Sequence, residues 1–190
     1  IDLHEFPFAK QKKSNNIVFV GRIVKHKGID LLIEAFEKIS KDFPEWKLKI
    51  FGQVQDKKLF EKISKKFNGN ILFNENTERK QLIEELSQAS VFALPSSQEA
   101  FGLAFLEAMA CWNPCIGAKL ESVKQIIEEN ETGFLINAED EKDLSNKLFV
   151  LLSQKKLREQ MGEKARKKAE NLSIENLSPQ YLDFFREVIK

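Results

Sequence analysis

The sequence predicts an α/β fold: a doubly wound, six-stranded parallel sheet with additional helices towards the C-terminal end. Three observations lead to this prediction. Six short apolar runs are present, stretches with apolar residues at helical spacing separate them, and the connections are too long for hairpins. Strands and helices that alternate in this way form parallel sheets with right-handed crossovers.

The first strand is predicted at residues 17–21, an apolar run ending in glycine that is typical of a strand covered on both faces. A helix is predicted over residues 28–43, because apolar residues recur there at helical spacing and Pro44 would stop it. The same patterns predict five more strands, at residues 47–52, 70–74, 91–95, 114–118 and 133–137. They also predict seven more helices, at residues 55–67, 78–89, from about 101, 122–129, 141–152, 154–171 and 174–189.

The composition narrows the class of partner. Hydrophobic residues make up 42% and charged residues 31% of the 190 residues, which excludes a disordered chain and a membrane-spanning one. Thirty basic residues against 29 acidic ones leave a net charge of +1. A chain so close to neutral has no overall positive potential that would attract nucleic acid, so no nucleic-acid partner is predicted.

The cysteine and histidine content argues against a disulfide framework and a zinc cage. Two cysteines and two histidines are too few for either, so no metal site is predicted and a reducing, cytoplasmic setting is expected. Cys111 and Cys115 are either a redox-active pair or packed thiols beside a helix end.

The first candidate site follows the first predicted strand. Gly21 and Gly28 bracket Arg22 and Lys27 immediately before a helix. An arginine fork and a lysine charge beside a helix N-terminus form an electropositive pocket suited to phosphate or diphosphate. A solvated basic loop is the alternative interpretation.

The second candidate site follows the fourth predicted strand. Glu99 lies in a loop, and Glu107 lies eight residues later on a helix that is apolar almost all round. We therefore expect Glu107 to be buried and to need ligand hydroxyls, a basic neighbour or a backbone amide as its partner. The backbone N–H groups of Phe101, Gly102 and Leu103 at the helix start favour an anionic ligand.

Taken in order, these motifs resemble the family-four glycosyltransferases of the GT-B fold. The pattern is Gly-Arg-x-x-x-x-Lys-Gly before an apolar helix, then Leu-Pro-Ser-Ser-x-Glu-x-Phe-Gly and Glu-Ala-Met-Ala-Cys. The resemblance covers the Rossmann-like C-terminal domain, which binds the donor. It implies that residues 1–15 are the remnant of an interdomain linker, that residues 16–190 are the nucleotide-sugar donor-binding domain, and that an N-terminal acceptor domain is the missing partner.

The resemblance also implies a role for each candidate residue. Arg22 and Lys27 would hold the donor diphosphate and stabilise the negative charge that develops on it, as a preorganised electrostatic site. Glu99 would contact the donor sugar and would be the third catalytic residue. The remaining roles are in substrate binding. The backbone N–H groups of Phe101, Gly102 and Leu103 would cradle the distal phosphate, and Glu107 would accept hydrogen bonds from the ribose hydroxyls. The substrate is then a nucleoside-diphosphate sugar, with no metal or other cofactor expected.

The chain departs from the family pattern in places, and other functions stay open. Residues 52–55 replace a more flexible glycine-rich loop, and Trp112-Asn113-Pro114 stands where the family usually has Gly-x-Pro.

One alternative function is that of a non-catalytic module that binds a nucleotide-sugar or another phosphate ligand. Another places the protein at the inner face of the membrane through the basic helix 155–168, which otherwise forms a solvated face. Without its partner domain, this chain is expected to be inactive. An apolar stripe on the last helix is interpreted as a docking seam, formed by Tyr181, Phe184, Phe185 and Val188.

Overall fold

The six predicted strands all form and make up one parallel sheet. The computed structural model describes residues 1–7 and 9–188. The strands are β1 (Asn16–Val20), β2 (Lys47–Phe51), β3 (Ile71–Asn74), β4 (Val91–Leu94), β5 (Cys115–Ala118) and β6 (Gly133–Ile136). The helices are α1 (Ile29–Ile39), α2 (Lys57–Ser64), α3 (Arg79–Gln88), α4 (Leu103–Ala110), α5 (Glu121–Lys124), α6 (Glu141–Ser153), α7 (Lys155–Asn171) and α8 (Ile174–Val188).

The strand order creates a switch point in the middle of the sheet. The order is β3-β2-β1-β4-β5-β6, so the chain moves outwards from β1 on one side and from β4 on the other. In β1 and β4, Ile17 is paired with Val91 and Val18 with Phe92. The loops that follow these two strands therefore emerge side by side, which is where doubly wound sheets place their ligands.

The core explains why the strands are such unbroken apolar runs. Ile17, Val18 and Phe19 are fully buried, because helices cover both faces of the sheet. Phe92 of β4 and Phe105 of α4 meet edge to face, with their ring centroids 5.5 Å apart. This contact seats the apolar helix α4 on the sheet and so positions the residues at its start.

Three helix predictions are wrong in extent. The helix predicted at residues 55–67 spans only Lys57–Ser64, because Asp56 caps its start and tighter turns follow its end. The helix predicted at residues 28–43 ends at Ile39, where tighter turns follow. The helix predicted at residues 122–129 is the single turn α5, since the backbone N–H of Glu128 is taken by the Thr132 hydroxyl at 2.9 Å rather than by a helical carbonyl. The predicted helix 174–189 is confirmed as far as Val188, and residue 189 lies outside the described residues.

The two cysteines are packed thiols. Cys111 and Cys115 are both free and buried. Burial raises the pKa of each thiol, because a thiolate there would lose its solvation.

Because the thiolate is the reactive form, we expect both cysteines of the native protein to react with a thiol-specific disulfide reagent at pH 8 at least about 10-fold more slowly than in the unfolded chain. The reaction is followed by the absorbance of the released chromophore, with and without denaturant. A native thiol that reacts as fast as an unfolded one would support the redox-active interpretation instead.

Candidate functional site

The loop after β1 carries the first two candidate residues. Residues Lys25–Lys27 form one turn of 3-10 helix, and Gly28 then adopts a left-handed conformation with φ of 70° so that α1 can start at Ile29. Arg22 is exposed, and its Nη1 donates to Gln55 Oε1 at 3.2 Å. The loop thus presents a guanidinium and an ammonium group at the carboxyl end of β1.

Lys27 and Glu99 form an ion pair across the switch point. Lys27 Nζ lies 2.6 Å from Glu99 Oε2, and the two side chains are only 14% and 13% exposed. The pair joins the loop after β1 to the loop after β4. The second loop is held in place by the backbone, because Ser97 N–H donates to His26 O at 2.8 Å and Ser122 Oγ donates to Glu99 O at 2.6 Å. Glu99 is therefore a fixed partner and not a mobile surface carboxylate.

These residues line an open cleft, which we call the switch-point cleft. It encloses about 680 Å³ and is lined by Arg22, Lys27 and Glu99 together with Leu120 and Glu121, where the loop after β5 leads into α5. The structure thus brings together three of the seven predicted site residues. Among the cleft-lining residues, the cationic groups of Arg22 and Lys27 can hold an anionic ligand, and the carboxylates of Glu99 and Glu121 can accept hydrogen bonds from its hydroxyl groups.

Glu107 is half-buried, so it is less buried than the sequence predicts. It lies on α4 with 18% of its side chain exposed, and its Oε1 accepts a hydrogen bond from Arg79 Nη1 at 2.6 Å. Arg79 also binds Glu5 Oε2 at 2.7 Å. Burial by itself would lower the pKa of Arg79, but the hydrogen bonds that it donates to Glu5 and Glu107 raise this pKa overall. Of the partners left open by the sequence, the basic neighbour is the one present.

The backbone N–H groups at the start of α4 can donate hydrogen bonds to a ligand, and the side chains of Phe101 and Leu103 face solvent. Gly102 has a φ of 78° and caps the helix without a side-chain hydrogen bond. Phe101 and Leu103 are 63% and 54% exposed. Over residues 1–7 and 9–188, no protein acceptor is recorded for the N–H groups of Phe101, Gly102 and Leu103. Neither these three residues nor Glu107 lines the switch-point cleft, so the seven candidates fall into two neighbouring groups.

Sequence reasoning missed the residues that support the site. Gln55, Ser122 and Arg79 hold Arg22, Glu99 and Glu107, respectively. Gln55 and Ser122 could have been predicted from their positions, because they follow β2 and β5 and therefore lie at the same edge of the sheet as Arg22 and Glu99. Arg79 gave no such signal, because its contact with Glu107 depends on how α3 packs beside α4.

One group of potential metal ligands comes together within the described part of the chain. It comprises Asp2, His4 and Glu175, whose ligand atoms lie within 4.8 Å of one another, and all three residues are exposed. None of them lines the switch-point cleft. In the same part of the chain, no helix is both long enough and apolar enough to cross a membrane.

Comparison with known proteins places the chain among sugar transferases. A family model described as "Glycosyl transferases group 1" matches residues 1–168. The capsular polysaccharide biosynthesis glycosyltransferase CapM of Staphylococcus aureus is 30% identical over 192 residues, which cover 96% of this chain and 50% of CapM. The chain spans half or less of the length of the curated relatives it matches.

Solved structures share the fold. A point mutant of TarM from S. aureus, crystallised with Fondaparinux, alpha-GlcNAc-glycerol and UDP, has a TM-score of 0.83 and 26% identity over 97% of this chain and 38% of that chain. The C-terminal domain of LpcC, a glycosyl transferase group 1 family protein from Francisella tularensis, has a TM-score of 0.80 and 23% identity over 92% of this chain and 99% of that domain. The predicted doubly wound sheet is thus confirmed by the topology and by these likenesses.

Proposed function

Because the chain belongs to the group 1 glycosyl transferases, we propose that it is the donor-binding half of a retaining glycosyltransferase. The transferred group is a sugar from a nucleoside diphosphate, the acceptor is unidentified, and the setting is glycan or polysaccharide biosynthesis. The observation that carries the proposal is the meeting of Arg22, Lys27 and Glu99 in one cleft at the switch point. That cleft offers cations for a diphosphate and a carboxylate for sugar hydroxyls.

Arg22 and Lys27 would act on the leaving group. As the bond between sugar and diphosphate breaks, negative charge grows on the diphosphate oxygen atoms, and fixed cations stabilise that charge without having to reorganise. Lys27 is preorganised by its contact with Glu99, and Arg22 by Gln55. Two cations supply this stabilisation from the protein itself, so the proposal includes no metal ion.

Glu99 and the start of α4 would hold the other parts of the donor. The Glu99 carboxylate can accept hydrogen bonds from hydroxyl groups of the sugar. The N–H groups of Phe101, Gly102 and Leu103 would cradle the distal phosphate at the positive end of the helix. Glu107 would bind the ribose hydroxyls, with Arg79 fixing the orientation of its carboxylate.

A second domain would supply the acceptor site. Two observations support this part of the proposal: the chain spans 50% of CapM, and α8 exposes large apolar side chains. Tyr181, Phe184 and Phe185 of the predicted docking seam are exposed, while the Val188 side chain lies outside the described residues. Peripheral membrane contact through α7 has weaker support, because Lys164 and Lys168 are already paired with Glu131 and Glu128.

The proposal is tested by calorimetric titration of UDP-, GDP- and ADP-glucose into this chain. We expect one of the three to bind, and the Arg22→Ala, Lys27→Ala double variant to lose about 100-fold or more in affinity, because each charged hydrogen bond contributes about 1.5–3 kcal/mol. Absence of binding by the unchanged chain to all three would count against a donor site. If the donor binds, sugar transfer by this chain alone would contradict the need for a second domain, whereas binding without transfer is expected.

A further inference from the structure

A second cavity lies at the opposite edge of the sheet from the switch-point cleft. It encloses about 150 Å³, and its wall includes Asn15, Ser90 and Trp112, which directly precede or closely approach the starts of β1, β4 and β5. Since the strands are parallel, these residues mark the amino edge of the sheet. The cavity is otherwise lined by charged side chains, so we call it the basic cavity: Lys10, Lys13, Lys155, Arg158 and Glu159.

The amino group of Lys13 is held in a defined position in this cavity. Its Nζ donates to Cys111 O at 2.6 Å and to Asn113 Oδ1 at 3.0 Å. Asn113 is fully buried, and its Nδ2 donates to Leu86 O at 2.7 Å, which fixes the oxygen of the amide towards the lysine. Within the described ranges 1–7 and 9–188, no other acceptor is recorded for the amine.

Two acceptors match the two N–H bonds of a neutral amine and leave its lone pair unused. The pKa of Lys13 is lowered from 10.5 to about 7, mainly because burial disfavours the ammonium form; Lys10 acts in the same direction, and Cys111 and Cys115 act in the opposite one. At neutral pH, a large fraction of this amine is therefore unprotonated and nucleophilic. The charged groups that α7 adds to the surroundings of the amine are Lys155, Arg158 and Glu159.

Two other cationic side chains that line the cavity, Arg158 and Lys155, differ in how tightly they are bound to neighbouring groups of the protein. Arg158 is part of the wall, because it donates to Leu151 O and Leu152 O and lies over the Trp46 ring at 4.8 Å. Lys155 is only loosely paired with Glu159, at 4.0 Å and with 78% of its side chain exposed. Such an exposed pair contributes little, so Lys155 can exchange its partner for an incoming phosphate.

We propose that the basic cavity is an acylation site in which Lys13 accepts the acyl group of a small acyl phosphate while Lys155 holds the phosphate. The lone pair of Nζ attacks the acyl carbon and forms the N–C bond. The C–O bond to phosphate breaks, phosphate leaves with the bonding electrons, and one amine proton passes to water. The product is an uncharged amide with a single N–H, so it cannot donate to both Cys111 O and Asn113 Oδ1. Acylation would therefore loosen residues 10–15 from the end of α4.

The experiment incubates the chain with acetyl phosphate over pH 6.5–10 and measures acetylation of each lysine by mass spectrometry of peptides. Lys12 is the internal control, because it is adjacent and exposed. We expect Lys13 to react about 10-fold faster than Lys12 at pH 7.5, and its rate to level off above about pH 8 while that of Lys12 keeps rising. A rate for Lys13 no higher than that of Lys12, or one that rises to pH 10 in the same way, would overturn the proposal.

A pair of variants tests the role of the cavity. Lys155→Gln should lower the rate at Lys13 about three-fold or more with acetyl phosphate, but not with the uncharged reagent acetic anhydride. Lys156→Gln is the matched control, because Lys156 lies in the same turn of α7 and is exposed but does not line the cavity. It should leave both rates unchanged. If Lys13 were acetylated by acetyl phosphate at the same rate in both variants, the proposed role of Lys155 in holding the phosphate would be refuted.

Discussion

Replacing Lys27 with methionine is expected to lower the affinity of the chain for a nucleoside diphosphate by about 100-fold. Two effects act in the same direction. The substitution removes a cation that would contact the diphosphate, and it leaves the Glu99 carboxylate, only 13% exposed, without its partner at 2.6 Å. An uncompensated negative charge in the switch-point cleft repels an anionic ligand. The affinity is measured by calorimetric titration with the nucleoside diphosphate of the donor that binds.

A second substitution separates these two effects. Glu99→Gln in the Lys27→Met background removes the uncompensated charge, so we expect it to restore about 10-fold of the lost affinity. The charge-matched control is Lys41→Met, because Lys41 is exposed and follows α1 at the far edge of the sheet. If Lys41→Met weakened binding as much, or if the double variant bound more weakly than Lys27→Met, the coupling between Lys27 and Glu99 would be refuted.

The sheet and the cluster in the switch-point cleft were predictable because they follow from local patterns. A strand buried on both faces has to be apolar at every position, as Ile17, Val18 and Phe19 are, and this leaves a clear mark in the sequence. Parallel strands also place the loops after β1 and β4 at one edge, which brings Lys27 and Glu99 together although they are 72 residues apart. Here topology determines which residues meet.

The surroundings of Glu107 were not predictable in the same way. Arg79 binds both Glu107, 28 residues away, and Glu5, 74 residues away, and these contacts arise from the packing of α3 against α4 and the N-terminal segment. No periodicity encodes such packing. The short helix α5 has a different and local cause: the Thr132 hydroxyl, four residues further along the chain, accepts a hydrogen bond from the N–H of Glu128, and this side-chain bond competes with helix formation.

Replacing Gly28 with alanine is expected to destabilise the fold by about 3 kcal/mol and to weaken donor binding as well. Gly28 has a φ of 70°, which side-chain-bearing residues rarely adopt, and an added Cβ would lie 2.4 Å from the backbone oxygen of Pro95. Pro95 leads directly into the loop that carries Glu99, and this loop is hydrogen-bonded to His26 O, two residues before Gly28. To relieve the clash, the backbone after β4 has to move away from the loop after β1, and the two halves of the switch-point cleft separate.

Gly69→Ala is the matched control for this prediction. No heavy atom lies within 4 Å of a Cβ built at Gly69, and its φ is outside the left-handed range, so we expect a change within about 0.5 kcal/mol. Urea unfolding gives the free energy for both variants, and titration of the donor into the folded proteins gives the affinity. A Gly28→Ala variant as stable as Gly69→Ala would show that the two loops are not held in contact at Pro95. A variant that is destabilised but binds the donor unchanged would show that the contact supports the fold alone, since the position of Glu99 would then be independent of Gly28.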